Sequence, residues 1–255
     1  MGEQIRVEQK GAAAWAILNR PPLNVLDISS LRELVGAFQQ LQGSTAKAVV
    51  LAAEGKAFSA GVDVRDHTPD KVGEMMEVLH EVFAALWDLE QPTVAVVQGA
   101  ALGGGMELAI ACDFLVASEQ ATFGQPEIQV GVFPPIACLL LPRMLPWPRA
   151  LELILTGETI DAREAHRWGL VNRVVPADRL EQAANEFLEK LTSLSGPVLK
   201  LSKRATLLGF EERRDWEPTL HEIERLYLDE LMKLEDAEEG LRAFIEKRKP
   251  QWKER

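Results

Sequence analysis

Residues 93–117 read TVAVVQGAALGGGMELAIACDFLVA, and this stretch decides the fold. Thr93–Val97 is β-branched and apolar, the composition of a strand. Gly99 marks a turn, and a glycine triplet, Gly103–Gly105, opens a helix predicted from about Gly104 to Ala111. Phe114–Ala117 is a second strand. Upstream, Ala46–Ala53 is a short apolar run that reads as a buried strand, and Glu54–Asp66 as loop. Residues 70–90 carry Val72, Met75, Met76, Leu79, Phe83 and Leu86 at helical spacing. Before that, residues 4–10 and 12–18 alternate and meet at Gly11, a hairpin. Asn19–Asn24, with two prolines, is a loop. Asp27 or Ser29 caps a helix running to about Gln42, which Gly43-Ser44 stops. The order β-β-α-β-α-β-α-β predicts an α/β fold. From about residue 176 the chain turns helical and charge-rich. There Leu220, Ile223, Leu226, Tyr227, Leu231 and Leu234 form an apolar stripe, open between packing on the main body and a subunit interface.

The 255 residues suit one or two domains, and 47% apolar with 26% charged residues is ordinary globular composition. The formal charge of −11 disfavours nucleic acid and anionic membrane as partners. No apolar run reaches the roughly 18 residues that span a bilayer. The opening Met-Gly-Glu-Gln-Ile-Arg lacks a signal-peptide pattern. Two cysteines, Cys112 and Cys138, and four scattered histidines give neither a disulfide framework nor a metal-ligand spacing. A cytoplasmic protein with reduced thiols and no bound metal is the expectation.

Three segments carry chemistry. In Ala57-Phe-Ser-Ala-Gly-Val-Asp-Val64 the small residues Ser59, Ala60 and Gly61 let backbone approach a ligand, and free N–H groups at such a bend can face an anion. A plain strand-to-helix turn would read the same. In the second, the glycine triplet leaves N–H groups unshielded at the positive end of a helix dipole. It is neither a dinucleotide fingerprint nor a P-loop. Glu107 sits in that helix's first turn, where a carboxylate also merely complements the dipole. In the third, Phe123-Gly-Gln-Pro-Glu-Ile128, Glu127 follows a proline in a loop. Two carboxyls brought beside an oxyanion site can do general acid and base work.

Together these segments, with Arg20-Pro-Pro-Leu-Asn-Val-Leu26, Leu155-Thr-Gly-Glu-Thr-Ile-Asp-Ala-Arg-Glu-Ala165 and Gly169-Leu-Val-Asn-Arg-Val-Val175, resemble the crotonase family of enoyl-CoA hydratases and isomerases over nearly the whole chain. The resemblance implies a spiral of ββα units over residues 1–195 and a C-terminal helical oligomerisation region over 196–255, in a homotrimer or homohexamer. It implies an acyl-CoA thioester as substrate, with no cofactor beyond CoA itself. By position it assigns the oxyanion donors to the N–H groups of Ala60 and Gly104, each such donor worth roughly 3–4 kcal/mol. It assigns CoA contacts to Ser59, Ala60, Gly61, Val62 and Asp63. Glu107 and Glu127 match both catalytic glutamates of the hydratases: Glu127 would deliver a proton to the substrate, and Glu107 would activate water.

One departure stands out. Where the family's hydratases resemble Gly-x-x-Pro-Gly-x-Gly-Gly, this chain has Gly131-Val-Phe-Pro-Pro-Ile-Ala-Cys138. Pro135 lacks the N–H that a glycine there lends to the water. Pro135 and Ile136, with His67, would form a bulkier apolar pocket wall. Gly-Val-Phe-Pro-Pro, the 57–64 segment and Asp66-His-Thr are similar to one branch of the family, the cyclohexa-1,5-diene-1-carbonyl-CoA hydratases. That branch implies water addition to a conjugated cyclic dienoyl thioester. The alternatives are a general 2-enoyl-CoA hydratase, then an enoyl-CoA isomerase, or, in a different class, a non-catalytic acyl-CoA-binding protein.

Overall fold

A computed structural model describes residues 4–209 and 216–251. Its main sheet has six strands in the order β1-β2-β3-β4-β6-β9: β1 (Ile5–Lys10), β2 (Ala13–Leu18), β3 (Ala48–Ala53), β4 (Thr93–Val97), β6 (Phe114–Ser118) and β9 (Arg173–Val175). The β1–β2 hairpin is antiparallel and every later pairing is parallel. Parallel sheets are covered on both faces, so their strands read as unbroken apolar runs. Alternate residues confirm it. Ala14, Ala16 and Leu18 of β2 and Ala95 and Val97 of β4 join the large core. Trp15, Ile17, Val94 and Val96 face the opposite cluster, closed by Leu180, Ala184 and Leu188 of helix α7 (Leu180–Thr192).

The large core is built from α1 (Ile28–Gln42), α2 (Val72–Trp87) and α3 (Gly104–Ala111). Asp27 caps α1, accepting from the Ser30 N–H at 2.8 Å. Beyond α3 come α4 (Pro135–Met144), α5 (Trp147–Thr156) and α6 (Ala162–Arg167).

A second sheet does the positioning. It joins β5 (Ala100–Leu102), β7 (Thr122–Gly124) and β8 (Thr159–Asp161) in that order. Each strand has three residues, too short to leave a pattern in the sequence. It lays the residues just before the glycine triplet parallel to those just before Glu127. A bridge from Ser59 to Ala101 adds the 57–63 bend alongside.

After α7 come α8 (Gly196–Gly209), α9 (Trp216–Arg225) and α10 (Glu235–Ile245). Leu220, Tyr227 and Leu241 are buried in the large core, so part of the apolar stripe packs on the main body. The side chains of Ile223 and Leu226 lie outside the described residues. Buried Glu239 knots the end of the chain, accepting from Arg248 at 2.5 Å and from the Gln251 N–H at 2.8 Å. The histidines are less scattered in space than in sequence: the rings of His80 of α2 and His221 of α9 lie 4.8 Å apart, tilted by 53°, each facing Glu224. No helix among the described residues is long and apolar enough to cross a membrane.

Candidate active site

Three chain segments converge at the end of the small sheet. The Gly103 N–H donates to the Gly124 carbonyl at 3.0 Å, which pins the glycine triplet beside the turn that carries Glu127. Gly103 has φ +51°, and a Cβ there would lie 2.2 Å from Glu127 Oε1. Only glycine fits both the conformation and the carboxyl packed against it. Gly61, at φ +94°, brings the 57–63 bend equally close: a Cβ there would lie 2.9 Å from the Leu102 carbonyl oxygen and 3.4 Å from the Gly104 nitrogen.

A cavity of about 380 Å³ opens between these segments. Its walls are largely apolar: Val64, Met75, Met76, Leu79, Val132 and Phe133, with Pro134 and Pro135. The size and character suit a small-molecule site. Glu107 and Glu127 both line it, and their environments differ. Glu107 Oε1 accepts from the Ala137 N–H at 2.8 Å, at the N-terminal turn of α4. Burial raises its pKa to about 7 against the opposing pull of the Ala137 and Ile136 N–H groups. Glu127 Oε2 is buried with no hydrogen-bond partner among the described residues. Burial first, and the Glu107 charge second, hold its carboxyl well above the usual carboxylate range.

The backbone donors differ from those the resemblance assigns. The Ala60 N–H donates to the Leu23 carbonyl at 2.9 Å. It is therefore occupied, and the assignment of an oxyanion donor to Ala60 is corrected. The Val62 N–H has no acceptor among the described residues, nor has that of Gly104, the first residue of α3. They are near neighbours: a Cβ built on Gly104 would lie 3.4 Å from the Val62 nitrogen.

Ser59 is corrected too. It is fully buried, and its hydroxyl braces the bend, donating to the Asn24 carbonyl at 2.7 Å and accepting from the Gly61 N–H at 3.1 Å. It lines neither cavity at the site. Ile136 points into the core, 1% exposed, and is not part of the cavity wall, whereas Pro135 and His67 are. As the first residue of α4, Pro135 costs the helix no hydrogen bond. His67 sets Nδ1 3.0 Å from the Asp63 carbonyl, and burial lowers its pKa.

The enoyl-CoA hydratase/isomerase family model matches residues 8–255. The chain belongs to the enoyl-CoA hydratase/isomerase, or crotonase, family. It is 38% identical over 255 residues to a cyclohexa-1,5-dienecarbonyl-CoA hydratase of Thauera aromatica, covering 99% of this chain and 97% of that one. It is 40% identical over 260 residues to a probable enoyl-CoA hydratase of Rhizobium meliloti, covering 99% of each. Among solved structures, a carnitinyl-CoA hydratase from Mycobacterium avium superposes with a TM-score of 0.88 at 34% identity, covering both chains fully. The fold is thus the α/β crotonase fold with C-terminal helices, and the chain is an enzyme of the hydro-lyase type.

Crotonase-family membership does not by itself bring forward the rest of the site. Tyr227, Leu241 and Phe244 close the cavity from the C-terminal segment. Tyr227 is visible in the sequence only as one member of the apolar stripe. A second, more open cavity shares Ala60, Val62, Val64 and Phe244 with the first and carries Arg20, Arg65 and Lys247. Asp63 lines this second cavity, ion-paired with Arg65 at 2.5 Å, which lowers its pKa. A cationic rim of this kind on an acidic protein leaves no trace in the net charge.

Proposed function

We propose that the protein adds water across the conjugated double bond of an acyl-CoA thioester, or removes it, with Glu107 as base and Glu127 as acid. The observation that carries this reading is the asymmetry of two buried carboxyls in one apolar cavity. Glu107 receives N–H groups that favour its charge. Glu127 receives none at Oε2 and keeps its proton. In the addition direction the Glu107 carboxylate takes a proton from water as the water oxygen bonds to the substrate. The electron pair of the double bond moves through conjugation to the thioester oxygen. The Val62 and Gly104 N–H groups receive that oxyanion, each fixed in place beforehand. Glu127 then delivers its proton to carbon as the thioester carbonyl re-forms. The elimination runs these steps backwards. The carbon–oxygen bond forms by addition of water to the conjugated acceptor, and the two carboxyls supply the proton transfers.

The acyl group we assign is cyclohexa-1,5-diene-1-carbonyl. The apolar wall of Met75, Met76, Leu79, Phe133 and Pro135 favours a carbocycle, and the Thauera aromatica relative carries that activity in its name. A general 2-enoyl-CoA hydratase is the second reading, favoured by the equally full-length Rhizobium meliloti relative. The CoA phosphates are assigned to the cavity with Arg20, Arg65 and Lys247. Half-exposed Leu194, Val198 and Leu201, at the junction with the C-terminal region, suit a homotrimer or homohexamer. A cytoplasmic site of action accords with Cys112 and Cys138 forming no disulfide.

The test is incubation of the purified protein with cyclohexa-1,5-diene-1-carbonyl-CoA and with crotonyl-CoA, read by mass spectrometry. A gain of one water on the diene, with little on crotonyl-CoA, is expected. The reverse makes it a general hydratase. Thioester binding with no turnover of either makes it a binding protein.

A further inference from the structure

We infer that Tyr227 is a third polar group of the reaction site, its hydroxyl donating a hydrogen bond to the reacting oxygen between Glu107 and Glu127. The inference rests on the hydratase reading above and names a positioning residue within it.

Tyr227 is the one tyrosine of the chain. It is 1% exposed, and its hydroxyl has no hydrogen-bond partner among the described residues. A buried hydroxyl without a partner is costly and uncommon, which points to a ligand atom as the missing partner. The residue lines the same cavity as the two glutamates and the free Val62 and Gly104 N–H groups. Its ring is held edge-on against Phe133 at 5.1 Å and 71°, so the hydroxyl has little freedom to look elsewhere.

The other polar side chains of the wall are already engaged. His67 faces the Asp63 carbonyl through Nδ1, and the Gln129 amide donates to the Gly157 carbonyl at 2.9 Å. The N-terminus of α4 offers nothing more, since Pro135 has no N–H and that of Ala137 goes to Glu107. No serine or threonine lines the cavity among the described residues, so Tyr227 supplies its hydroxyl donor. Burial, then Glu127 and Glu107, push the phenol well above its ordinary range, so it keeps its proton throughout. A water that gives its proton to the Glu107 carboxylate keeps one lone pair for the substrate carbon, and the Tyr227 O–H is a donor for the other. In elimination the same O–H stabilises the departing hydroxide. No proton leaves the tyrosine in either direction.

The experiment is Tyr227→Phe in the full chain, with steady-state kinetics on whichever thioester the parent hydrates and thermal unfolding alongside. We expect kcat to fall on the order of tenfold with KM little changed. We also expect a midpoint of unfolding equal to or above the parent's, because an unpartnered buried hydroxyl is gone. Opposite movements of activity and stability separate this role from a packing role. A kcat within about twofold of the parent's overturns the inference and leaves the hydratase reading standing. A parent inactive on both thioesters overturns the hydratase reading and this inference with it.

Discussion

The two glutamates line one cavity and stand on very different supports. Glu107 stands in the first turn of a buried helix and faces the N-terminus of a second helix, α4, whose N–H groups receive it. Glu127 stands on a short 3-10 turn, Pro126–Val130, with one carboxylate oxygen buried and unpaired. On the proposed mechanism, it is the unequal donors that separate two identical side chains into a base and an acid. The turn is held from outside by Gly103, and the helix by its own hydrogen bonds, so the pair can be unbalanced from either side.

The largest expected effect comes from removing the proposed acid. Glu127→Gln keeps the shape and loses the proton carrier, so kcat should fall by roughly 10³ while thioester affinity stays within a few-fold. Single-turnover kinetics with a binding titration checks it, and an unchanged kcat would take Glu127 out of the mechanism. The base is tested by pH. Because Glu107 must be ionised, kcat/KM should fall as pH drops through about 7.

Stability should run the other way. The folded pKa of Glu107 is raised from 4.5 to about 7, so between these values the folded chain binds the extra proton. The stability tied to that proton is complete below pH 4.5 and is lost as pH rises to about 7, roughly 3 kcal/mol in all. Glu107→Gln should remove its share of this slope in denaturant titrations across that range and leave that of Glu127, and an unaltered slope would place the titration elsewhere.

Gly103→Ala drives a methyl into the Glu127 carboxyl and strains a positive φ. A loss of roughly 1–3 kcal/mol and a lowered kcat are expected, read by thermal unfolding and by turnover. The smallest effect lies away from the pair. Glu224, then Glu217 and Glu81, raise the His80 pKa above 6.5 against the opposing effect of its partial burial. This contact of α2 with α9 is complete below pH 6.5 and weakens as pH rises through the raised value. His80→Ala should flatten that part of the stability curve, and hydrogen exchange over residues 216–225 should report it first.

Much of this was legible in the sequence. The long strands announce themselves because both sheet faces are covered, so Ala48–Ala53 and residues 94–97 are apolar throughout. The cap of the first helix is narrowed to Asp27 or Ser29, and the structure selects Asp27. The three-residue strands β5, β7 and β8 are not, since three residues carry no period, and yet they bring Glu127 to the glycine triplet. The free donor was also hidden. Spacing marks the bend at 57–63, but which N–H stays open depends on the Leu23 carbonyl, delivered by a loop far away in the chain, which takes that of Ala60 and leaves that of Val62. Tyr227 and the His80–His221 contact depend on helix docking, which no local pattern records.

The most direct measurement is difference infrared spectroscopy of the carboxyl region near pH 8, where a group with an ordinary carboxylate pKa is ionised. The parent and Glu107→Gln should both show the band of one protonated buried carboxyl, and Glu127→Gln should lack it. A band that survives in Glu127→Gln and vanishes in Glu107→Gln would reverse the assignment of acid and base.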